Sequence, residues 1–323
     1  MPFIARSPLS YLRTAQEIDT HWQQANTTAG TNPITLKGDY TLAEFQADFA
    51  TFSNKIDQTR AERFQRDMAA AQRNIQKGHV RDSLTRFRAA VTNKLMGTPY
   101  ASNLPTLPVL TADESGYKEP FLKMQERWRG IDSLGSTVDD FTPPLVLGNG
   151  LTLAGFGDQL TELDATYRAV DRSDTLLGTL RRERDALMPI LKQRITQYKN
   201  ALIDRFGKDH PLVKSLPSLS PVASSTLKAV KLTGTWDATT GKAALSWSAA
   251  ASSEASYSVR TTGSLPYKAD EEEVLTTLPN GITHFHTDAG LTLPGSEANF
   301  KVYVVTPSGN ERGSNAVKVM HTP

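Results

Sequence analysis

Residues 41–56 read TLAEFQADFATFSNKI, and the apolar positions of this stretch recur every three or four residues. This spacing places one apolar stripe along a helix, formed by Leu42, Phe45, Phe49, Phe52 and Ile56. Thr41 precedes the stripe and Glu44 follows three residues later, a pairing typical of helix N-termini because each side chain can bond the other residue's backbone amide. The stretch therefore predicts that a helix begins directly after Thr41.

A second stretch, residues 152–167, matches the first at a shift of 111 positions. Phe45 falls on Phe156, and Phe87 falls on Tyr198. Further matches are apolar in both stretches: Phe52 with Leu163, Ile56 with Tyr167, Val80 with Leu191, Leu84 with Ile195, and Val91 with Leu202. We therefore predict two tandem copies of one unit, residues 1–110 and 111–220, which together form one elongated helical domain.

Each copy is predicted to be a three-helix unit. Gly78 and Pro189 fall at equivalent positions after the long middle helices 41–77 and 152–187, and both residue types disfavour a continuing helix. A third helix is therefore expected to begin near residue 79 and near residue 189. Whether the middle helices are themselves broken stays open. Shorter first helices are expected at about 9–27 and about 118–133.

The spacing of apolar residues changes after residue 225. Residues 216–225 are rich in Pro, Ser and Ala, a composition typical of linkers. Apolar residues then alternate in short stretches, for example at Ala243, Leu245 and Trp247, which predicts strands with one buried face. Several short strands in sequence favour a β-sandwich over residues 226–323.

Three motifs in this region resemble the fibronectin type III family. Leu245-Ser246-Trp247 resembles the family's second strand, in which an inward Trp fills the centre of the core. Leu293-Pro294-Gly295 followed by residues 300–304 is similar to the approach to its sixth strand, and residues 309–314 are similar to its final hairpin. No family is recognised for residues 1–220.

The resemblance implies a spacer or binding module rather than a catalyst. It places Trp247, Tyr257 and Phe300 in the core of the sandwich, with Trp247 as its most buried residue. Phe300 stands where the family usually has Tyr, so one hydrogen bond of that phenol is absent. In the helical region, Phe45 and Phe156 are the corresponding core residues.

His284, His286 and Asp288 are candidate metal ligands. They alternate, so on a strand they would share one face, and two imidazoles with a carboxylate can bind zinc. An exposed polar face is the alternative explanation. The chain has no cysteine, which excludes disulfides and thiolate metal sites, and no cofactor is expected.

Two charged stretches are interpreted as solvated surfaces. Ten basic and four acidic residues lie between Lys55 and Lys94, which would suit phosphate contacts, but they spread around the helix without alternating aromatics. The acidic run 270–273 is interpreted as a solvated approach to a strand, or as a partner for a basic patch on a neighbouring molecule. The formal net charge of +2 gives no polyelectrolyte character to the whole chain.

The sequence predicts no active site, because it contains none of the nucleophile-elbow, P-loop, dinucleotide or zinc-protease patterns. The leading hypothesis is a non-catalytic structural or interaction protein that binds itself through its helical region, as a homo-oligomer or filament, and displays or bridges through its β-sandwich. Exposed apolar connections in the helical region are the expected contacts. They comprise Leu107, Val109, Leu110, Leu145, Val146 and Leu147.

Two other functions stay open. One is a nucleic-acid or polyanion binder that uses the basic helices of the first copy, and the other is a carbohydrate-associated or hydrolytic protein. No stretch is apolar over the length that a membrane span needs. No signal peptide is recognisable, so the cytoplasm is the default location, with surface or extracellular assembly also left open.

Overall fold

A computed structural model describes residues 8–110, 112–134, 141–217, 227–250, 255–264, 266–267, 271–305 and 311–322. Within these residues helices come first and strands follow, as the sequence predicts. The helices are α1 (Pro8–Ala29), α2 (Leu42–Lys94), α3 (Glu114–Asp132), α4 (Leu153–Phe206) and α5 (Pro211–Lys214). The strands are β1 (Leu232–Asp237), β2 (Lys242–Trp247), β3 (Ser256–Thr261), β4 (Glu273–Leu278), β5 (His284–Thr287), β6 (Glu297–Val305), β7 (Glu311–Gly313) and β8 (Val317–Met320).

The prediction of separate third helices is wrong, because α2 and α4 are continuous helices of 53 and 54 residues. Gly78 lies inside α2 at a cost of about 1 kcal/mol relative to Ala, and Pro189 removes one backbone hydrogen bond from α4. Apolar residues are buried on both sides of each position, for example Ala71 and Val80 in α2. Burial of apolar residues on both sides of each position therefore outweighs the local penalties.

The chain divides into two compact units. The first contains Met1–Asp67, Ser173–Thr292 and Ser296–Pro323, and the second contains Met68–Arg172 and Leu293–Gly295. Two of the divisions fall inside α2 and α4, and the other two flank Leu293–Gly295. The predicted boundaries near residues 110 and 220 were placed by the sequence repeat, and they stay a prediction. Most of the predicted linker lies outside the described residues.

The first helical core belongs to the first unit and joins α1, the start of α2, the end of α4 and α5. Trp22 is fully buried in it. Its ring stacks on Tyr198 with centroids 4.6 Å apart and lies 5.7 Å from the ring of Phe45. Its indole donates to the Ile34 carbonyl at 3.3 Å, and the Ile34 amide donates to Asn26 Oδ1 at 2.8 Å.

The second helical core belongs to the second unit and joins α3, the start of α4 and the end of α2. The Trp128 ring lies 5.3 Å from Phe87 and 6.0 Å from Phe156. Its indole donates to the Leu145 carbonyl at 3.1 Å, and the Leu145 amide donates to Asp132 Oδ1 at 2.7 Å. These bonds hold the connection before α4 against the core.

Two of the apolar residues expected to be exposed are therefore buried. Leu145 is fully buried and Leu147 is 3% exposed, because both pack into the second helical core. Val146 points away from the core and is 38% exposed. The expectation of exposure is confirmed for the connection before α3, where Leu107, Val109 and Leu110 are exposed.

The strands form two antiparallel sheets in the order β1-β2-β5 and β4-β3-β6-β7, with β8 also paired to β6. Buried residues of both sheets share one cluster, so the arrangement is sandwich-like, and we call β1 to β8 the sandwich-like module. Tyr257 and Phe300 are fully buried, whereas Trp247 is 6% exposed. The prediction that Trp247 is the most buried residue is therefore wrong, because it lies at the last position of β2 and the other two lie within their strands.

Candidate functional site

Buried charge collects where the sandwich-like module contacts α2 and α4 inside the first unit. Glu271 and Glu272 are only 6% and 7% exposed, so the interpretation of this run as a solvated strand approach is wrong for both. Glu273 is exposed, and Asp270 lies outside the described residues. Glu271 contacts arginines of the helices, whereas Glu272 contacts Arg260 of the module.

Three arginines hold the carboxylate of Glu271. Arg63 of α2 donates from Nη2 to Oε2 at 2.8 Å, and Arg184 of α4 donates from Nη2 to Oε1 at 3.2 Å. Arg181 approaches Oε2 with Nε at 3.0 Å. Arg181 and Arg184 are three positions apart and share one face of α4. We call Arg63, Arg181 and Arg184 the arginine site.

The electrostatics of the arginine site keep Glu271 ionised. Burial raises the pKa of Glu271, but the charges of Arg184, Arg181 and Arg63 together outweigh burial and hold the pKa below its ordinary value. Arg184 also pairs with Asp185, at 2.8 Å from Nη2 to Oδ1. The site is therefore a set of charge-assisted contacts around an ionised carboxylate.

A second contact lies beside the arginine site, at the turn after β3. The Ser264 hydroxyl donates to Asp67, and its amide donates to Asp67 Oδ2 at 3.4 Å. Arg66 donates to Ser264 Oγ, and from Nε to Asp174 at 2.9 Å. Gly263 has φ +64°, and a Cβ there would collide with Asp67. Glycine therefore suits this close approach of turn and helix, because any other residue would require the Asp67 side chain to move.

Glu272 belongs to a separate network within the module. Arg260 bonds Glu272 and Glu311, and its guanidinium lies 4.1 Å from the centroid of the Tyr303 ring. The Tyr267 hydroxyl donates to Glu272 at 2.6 Å. Burial, together with the charge of Glu272, raises the pKa of Tyr267 well above its ordinary range, so the hydroxyl stays protonated.

This arrangement can fix two segments to one another but is poorly suited to proton transfer. A general base needs a carboxylate that can reach a substrate proton, and a nucleophile needs to be activated. Glu271 and Glu272 are instead bonded to arginines, and Tyr267 is bonded to a carboxylate. The chemistry of the site is ionic docking.

The basic stretch between Lys55 and Lys94 is largely engaged within the protein. Arg63 and Arg66 bond the groups just described, and Lys55 bonds Glu183 at 2.8 Å. In the second unit, Lys77 is buried and donates to the Leu110 carbonyl at 3.0 Å, with its ammonium 4.5 Å from the Tyr117 ring. The interpretation of the whole stretch as a solvated helix face is therefore wrong for Arg63 and Lys77, because partners from other segments cover them.

The metal candidates lie on and just after β5. His284, His286 and Asp288 are all exposed. Among the residues that the structure describes, no group of three or more His, Asp or Glu side chains is placed to hold a metal ion. The described structure thus gives the metal-binding hypothesis no support beyond the sequence spacing of these three residues.

An open depression of about 590 Å³ lies over the start of α3 in the second unit. Its acidic groups already have partners. Asp113 Oδ1 accepts the Gly116 amide at 2.7 Å as the cap of α3, Glu114 pairs with Lys118, and Glu119 pairs with Lys123. The pair of free, facing carboxylates that glycoside hydrolysis requires is not formed in this depression.

Sequence reasoning missed the arginine site, although two signals pointed to it. The apolar stripe of α2 lapses between Ile56 and Ala70, where Arg63 and Arg66 lie. The sequence RRER at residues 181–184 occupies a similar position in α4. Arginines that interrupt the apolar stripe of a helix, together with an acidic run elsewhere in the chain, are the sequence pattern expected for an ionic contact inside the protein.

Comparison with known proteins gives partial structural likenesses only. No protein-family model matches the chain, and no curated protein sequence matches it. Pectate lyase PelI from Erwinia chrysanthemi in complex with tetragalacturonic acid is 25% identical over 28% of this chain and 28% of that chain, with a TM-score of 0.24. An Fn3-like protein from Clostridium thermocellum is 19% identical over 31% of this chain and 96% of that chain, with a TM-score of 0.25.

Pectate lyase Pel3 from Pectobacterium carotovorum is 19% identical over 29% of this chain and 27% of that chain, with a TM-score of 0.24. The chain thus spans less than a third of the length of the pectate lyases that it matches. At these TM-scores the likenesses carry no argument about its activity. None of the described helices combines the length and apolar content needed to cross a membrane.

Proposed function

We propose that the protein is a non-catalytic structural or interaction protein that associates with itself through its helical region. The main observation in support of this proposal is that charged residues are buried and paired with one another. Glu271, Arg63 and Arg184 are among the most buried charged residues described, and they hold the sandwich-like module on α2 and α4. Buried charges that are paired in this way fix an arrangement of segments rather than a substrate.

Self-association is supported by the connection that leads into α3. Val109 and Leu110 are 67% and 55% exposed, next to Leu107. Consecutive exposed apolar residues of this kind are typical of partner contacts. Because these residues lie in the helical region, we propose that the protein binds a second copy there.

The helical region is further proposed to be a duplicated unit, and the module to be of the fibronectin type III family. Support for the duplication comes from Trp22 and Trp128, each of which donates to the carbonyl of a residue that an Asn or Asp side chain also holds. Support for the family comes from the positions of Trp247 on the second strand and Phe300 on the sixth. Modules of this family are spacers and binding platforms.

Light scattering over a concentration series tests self-association. We expect the full chain to exceed its monomer mass of 35.4 kDa as concentration rises. Val109→Lys with Leu110→Lys is expected to return it to the monomer mass, because charged side chains are costly to bury. Met320→Lys, at a residue of the module that is 46% exposed, is the matched control and is expected to leave the association unchanged. A chain that stays at the monomer mass at every concentration contradicts the proposal.

A polyanion-binding function gains less support, because Lys55, Arg63 and Arg66 already bond carboxylates. The steep loss of affinity with salt that phosphate contacts produce would be its signature in a titration with duplex DNA. A carbohydrate-associated function stays a proposal without a supporting contact.

A further inference from the structure

Three basic residues of the second unit lie on one face of α2 without an ion pair. Arg73, Lys77 and Arg81 are spaced four residues apart, so their side chains leave the helix on the same side. We call these three residues the basic cluster. None of them forms an ion pair with the described residues, in contrast to four other basic residues of α2: Lys55, Arg63, Arg66 and Arg86.

The acids near the basic cluster have other partners. Burial raises the pKa of Tyr167, and the charges of Glu114 and Asp113 add to this rise whereas those of Arg73 and Lys118 oppose it. Both signs of charge therefore act on this ring. Five acids of the region are bonded elsewhere: Asp113 to the Gly116 amide, Glu114 and Asp164 to Lys118, Asp82 to Arg86, and Glu162 to Gln76. They leave the basic cluster without a counter-charge.

Lys77 is the buried member of the basic cluster, with 7% of its surface exposed. Its ammonium lies 4.5 Å from the centroid of the Tyr117 ring and 5.7 Å from that of Tyr167. The Arg73 guanidinium also lies near Tyr167, at 5.5 Å. Burial and the charge of Arg73 both lower the pKa of Lys77. The ammonium has three donors, and the Leu110 carbonyl is the one acceptor described for them.

Three further polar atoms of this region are buried without a hydrogen-bond partner among the described residues. They are the Tyr167 hydroxyl, Arg73 Nε and Arg81 Nε. Arg81 lies close enough to Tyr117 to act on it, because burial raises the pKa of Tyr117 to about 12 while the charge of Arg81 opposes this rise. Buried polar atoms of native proteins are nearly always bonded, so unpaired ones indicate a water or an ion. Unpaired donors beside uncompensated positive charge favour an anion.

We propose that the basic cluster binds a small oxyanion, phosphate or sulfate, with the Tyr167 hydroxyl as a further donor. Arg73 and Arg81 are partly exposed, so a small ion can reach them from solvent. Guanidinium groups match the oxygens of such ions, which carry up to two negative charges at neutral pH. A polymer is a poor fit, because Lys77 and Tyr167 are each only 7% exposed.

The oxyanion site is independent of the proposed self-association. Lys77 bonds the Leu110 carbonyl with one of its three protons and keeps the others for the ion. The connection that carries Val109 and Leu110 therefore does not have to move. The two proposals can fail separately.

Calorimetric titration of the full chain with sodium phosphate tests the site. We expect saturation at one ion per chain and competition by sulfate. Arg73→Gln and Arg81→Gln are each expected to weaken phosphate binding about tenfold or more, because each removes charge-assisted hydrogen bonds. Arg86→Gln is the matched control, since Arg86 lies on α2 but pairs with Asp82, and its affinity is expected to be unchanged. Equal affinities of all three variants would reject the basic cluster as the site.

Tyr167→Phe tests the proposal without removing a charge. The hydroxyl has no described partner, so its loss is expected not to lower the free energy of unfolding without phosphate. Phosphate binding is expected to weaken several-fold, because one donor is lost. Thermal unfolding in phosphate and in chloride at equal ionic strength measures both effects. Lower stability without phosphate, or unchanged phosphate affinity, would contradict the assigned role of the hydroxyl.

Two other results would overturn the proposal. One is the absence of saturable binding of either phosphate or sulfate to the wild-type chain. The other is displacement of phosphate by duplex DNA, which would show that the basic cluster is an open surface for a polymer. Neither result would bear on the light-scattering test of self-association.

Discussion

The two helical cores place a tryptophan in nearly the same surroundings, but in the first core an aromatic residue next to it also forms a buried polar pair. Trp22 packs between Phe45 and Tyr198, as Trp128 packs near Phe156 and Phe87. In the first core the Tyr198 hydroxyl lies 2.8 Å from Nδ1 of the buried His21. In the second core the corresponding residue is Phe87, which has no hydroxyl. The apolar frame thus stays the same while one polar group is added.

The added polar pair ties α5 to the first core. His21 Nε2 lies 2.9 Å from the Leu212 carbonyl and 3.3 Å from Ser215 Oγ. A four-residue helix such as α5 has too few backbone bonds to be stable alone. Apolar packing around the tryptophan is therefore what the two cores share. The buried hydrogen bonds of the first core are found where an additional segment, α5, packs against it.

The largest expected effect tests the common frame. Trp22→Ala and Trp128→Ala are each expected to lower the free energy of unfolding by about 3–5 kcal/mol, because each leaves a large cavity. Denaturant unfolding followed by circular dichroism measures both. Phe64→Ala, at a residue of α2 that is 54% exposed, is the control and is expected to cost less than about 0.5 kcal/mol. A large loss for one tryptophan and almost none for the other would break the comparison.

The next-largest effect is expected for changes to the hydrogen-bonded pair of His21 and Tyr198. Tyr198→Phe makes the first core resemble the second. It is expected to lower the free energy of unfolding by about 1–3 kcal/mol, because the buried Nδ1 of His21 loses its hydrogen-bond partner. The double variant with His21→Leu is expected to cost less than the sum of the two single changes, since no unpaired ring nitrogen is left. Strict additivity of the two losses would show that the pair is not coupled.

Protonation of His21 should weaken the first core only. Burial lowers the pKa of His21 below its ordinary value, although the bond to the Leu212 carbonyl partly offsets burial. The stability that depends on neutral His21 is therefore complete above the ordinary pKa of about 6.5 and is lost as the pH falls through the folded-state pKa, with a slope of at most about 1.4 kcal/mol per pH unit. Unfolding measured between pH 7.5 and pH 5 is expected to show this slope.

His21→Leu is expected to remove that part of the pH dependence. His286→Leu, at an exposed histidine of β5, is the matched control and is expected to retain it. An unchanged slope in His21→Leu would assign the pH dependence to other groups.

The smallest effect concerns the starts of the long helices. Glu44 Oε2 accepts the Thr41 amide at 2.6 Å, whereas Gly155 stands at the matched position of α4. Gly155→Glu is expected to raise the stability of the second core by about 0.5–1 kcal/mol by restoring the capping box and removing a flexible glycine. A Cβ there would lie 3.2 Å from Leu151 Cδ1, the mobile end of a side chain that can rotate away. A lower melting temperature for this variant would show that Leu151 cannot move.

Local patterns predict the helix starts and the core, but not the contacts between distant segments. Thr41 and Thr152 directly precede the long helices, and Phe45 and Phe156 are fully buried, because short-range spacing decides both features. Gly78 and Pro189 were misleading because their penalty is local, whereas the packing that overrides it comes from other helices. Glu271 was misinterpreted because its partners lie far away in the sequence, where no spacing rule connects them.

The most direct test of the ionic docking is a double-mutant cycle of Glu271 and Arg184. Glu271→Ala is expected to lower the free energy of unfolding by about 3–5 kcal/mol, because it leaves buried arginines without their shared carboxylate. Arg184→Ala is expected to cost less, because Arg63 and Arg181 still pair with Glu271. The double variant is expected to lose less than the sum of the single losses, with a coupling energy of about 2 kcal/mol or more. Denaturant unfolding of the four proteins at low salt gives this number. A coupling energy below about 0.5 kcal/mol would show that Glu271 and Arg184 do not hold the sandwich-like module on α4.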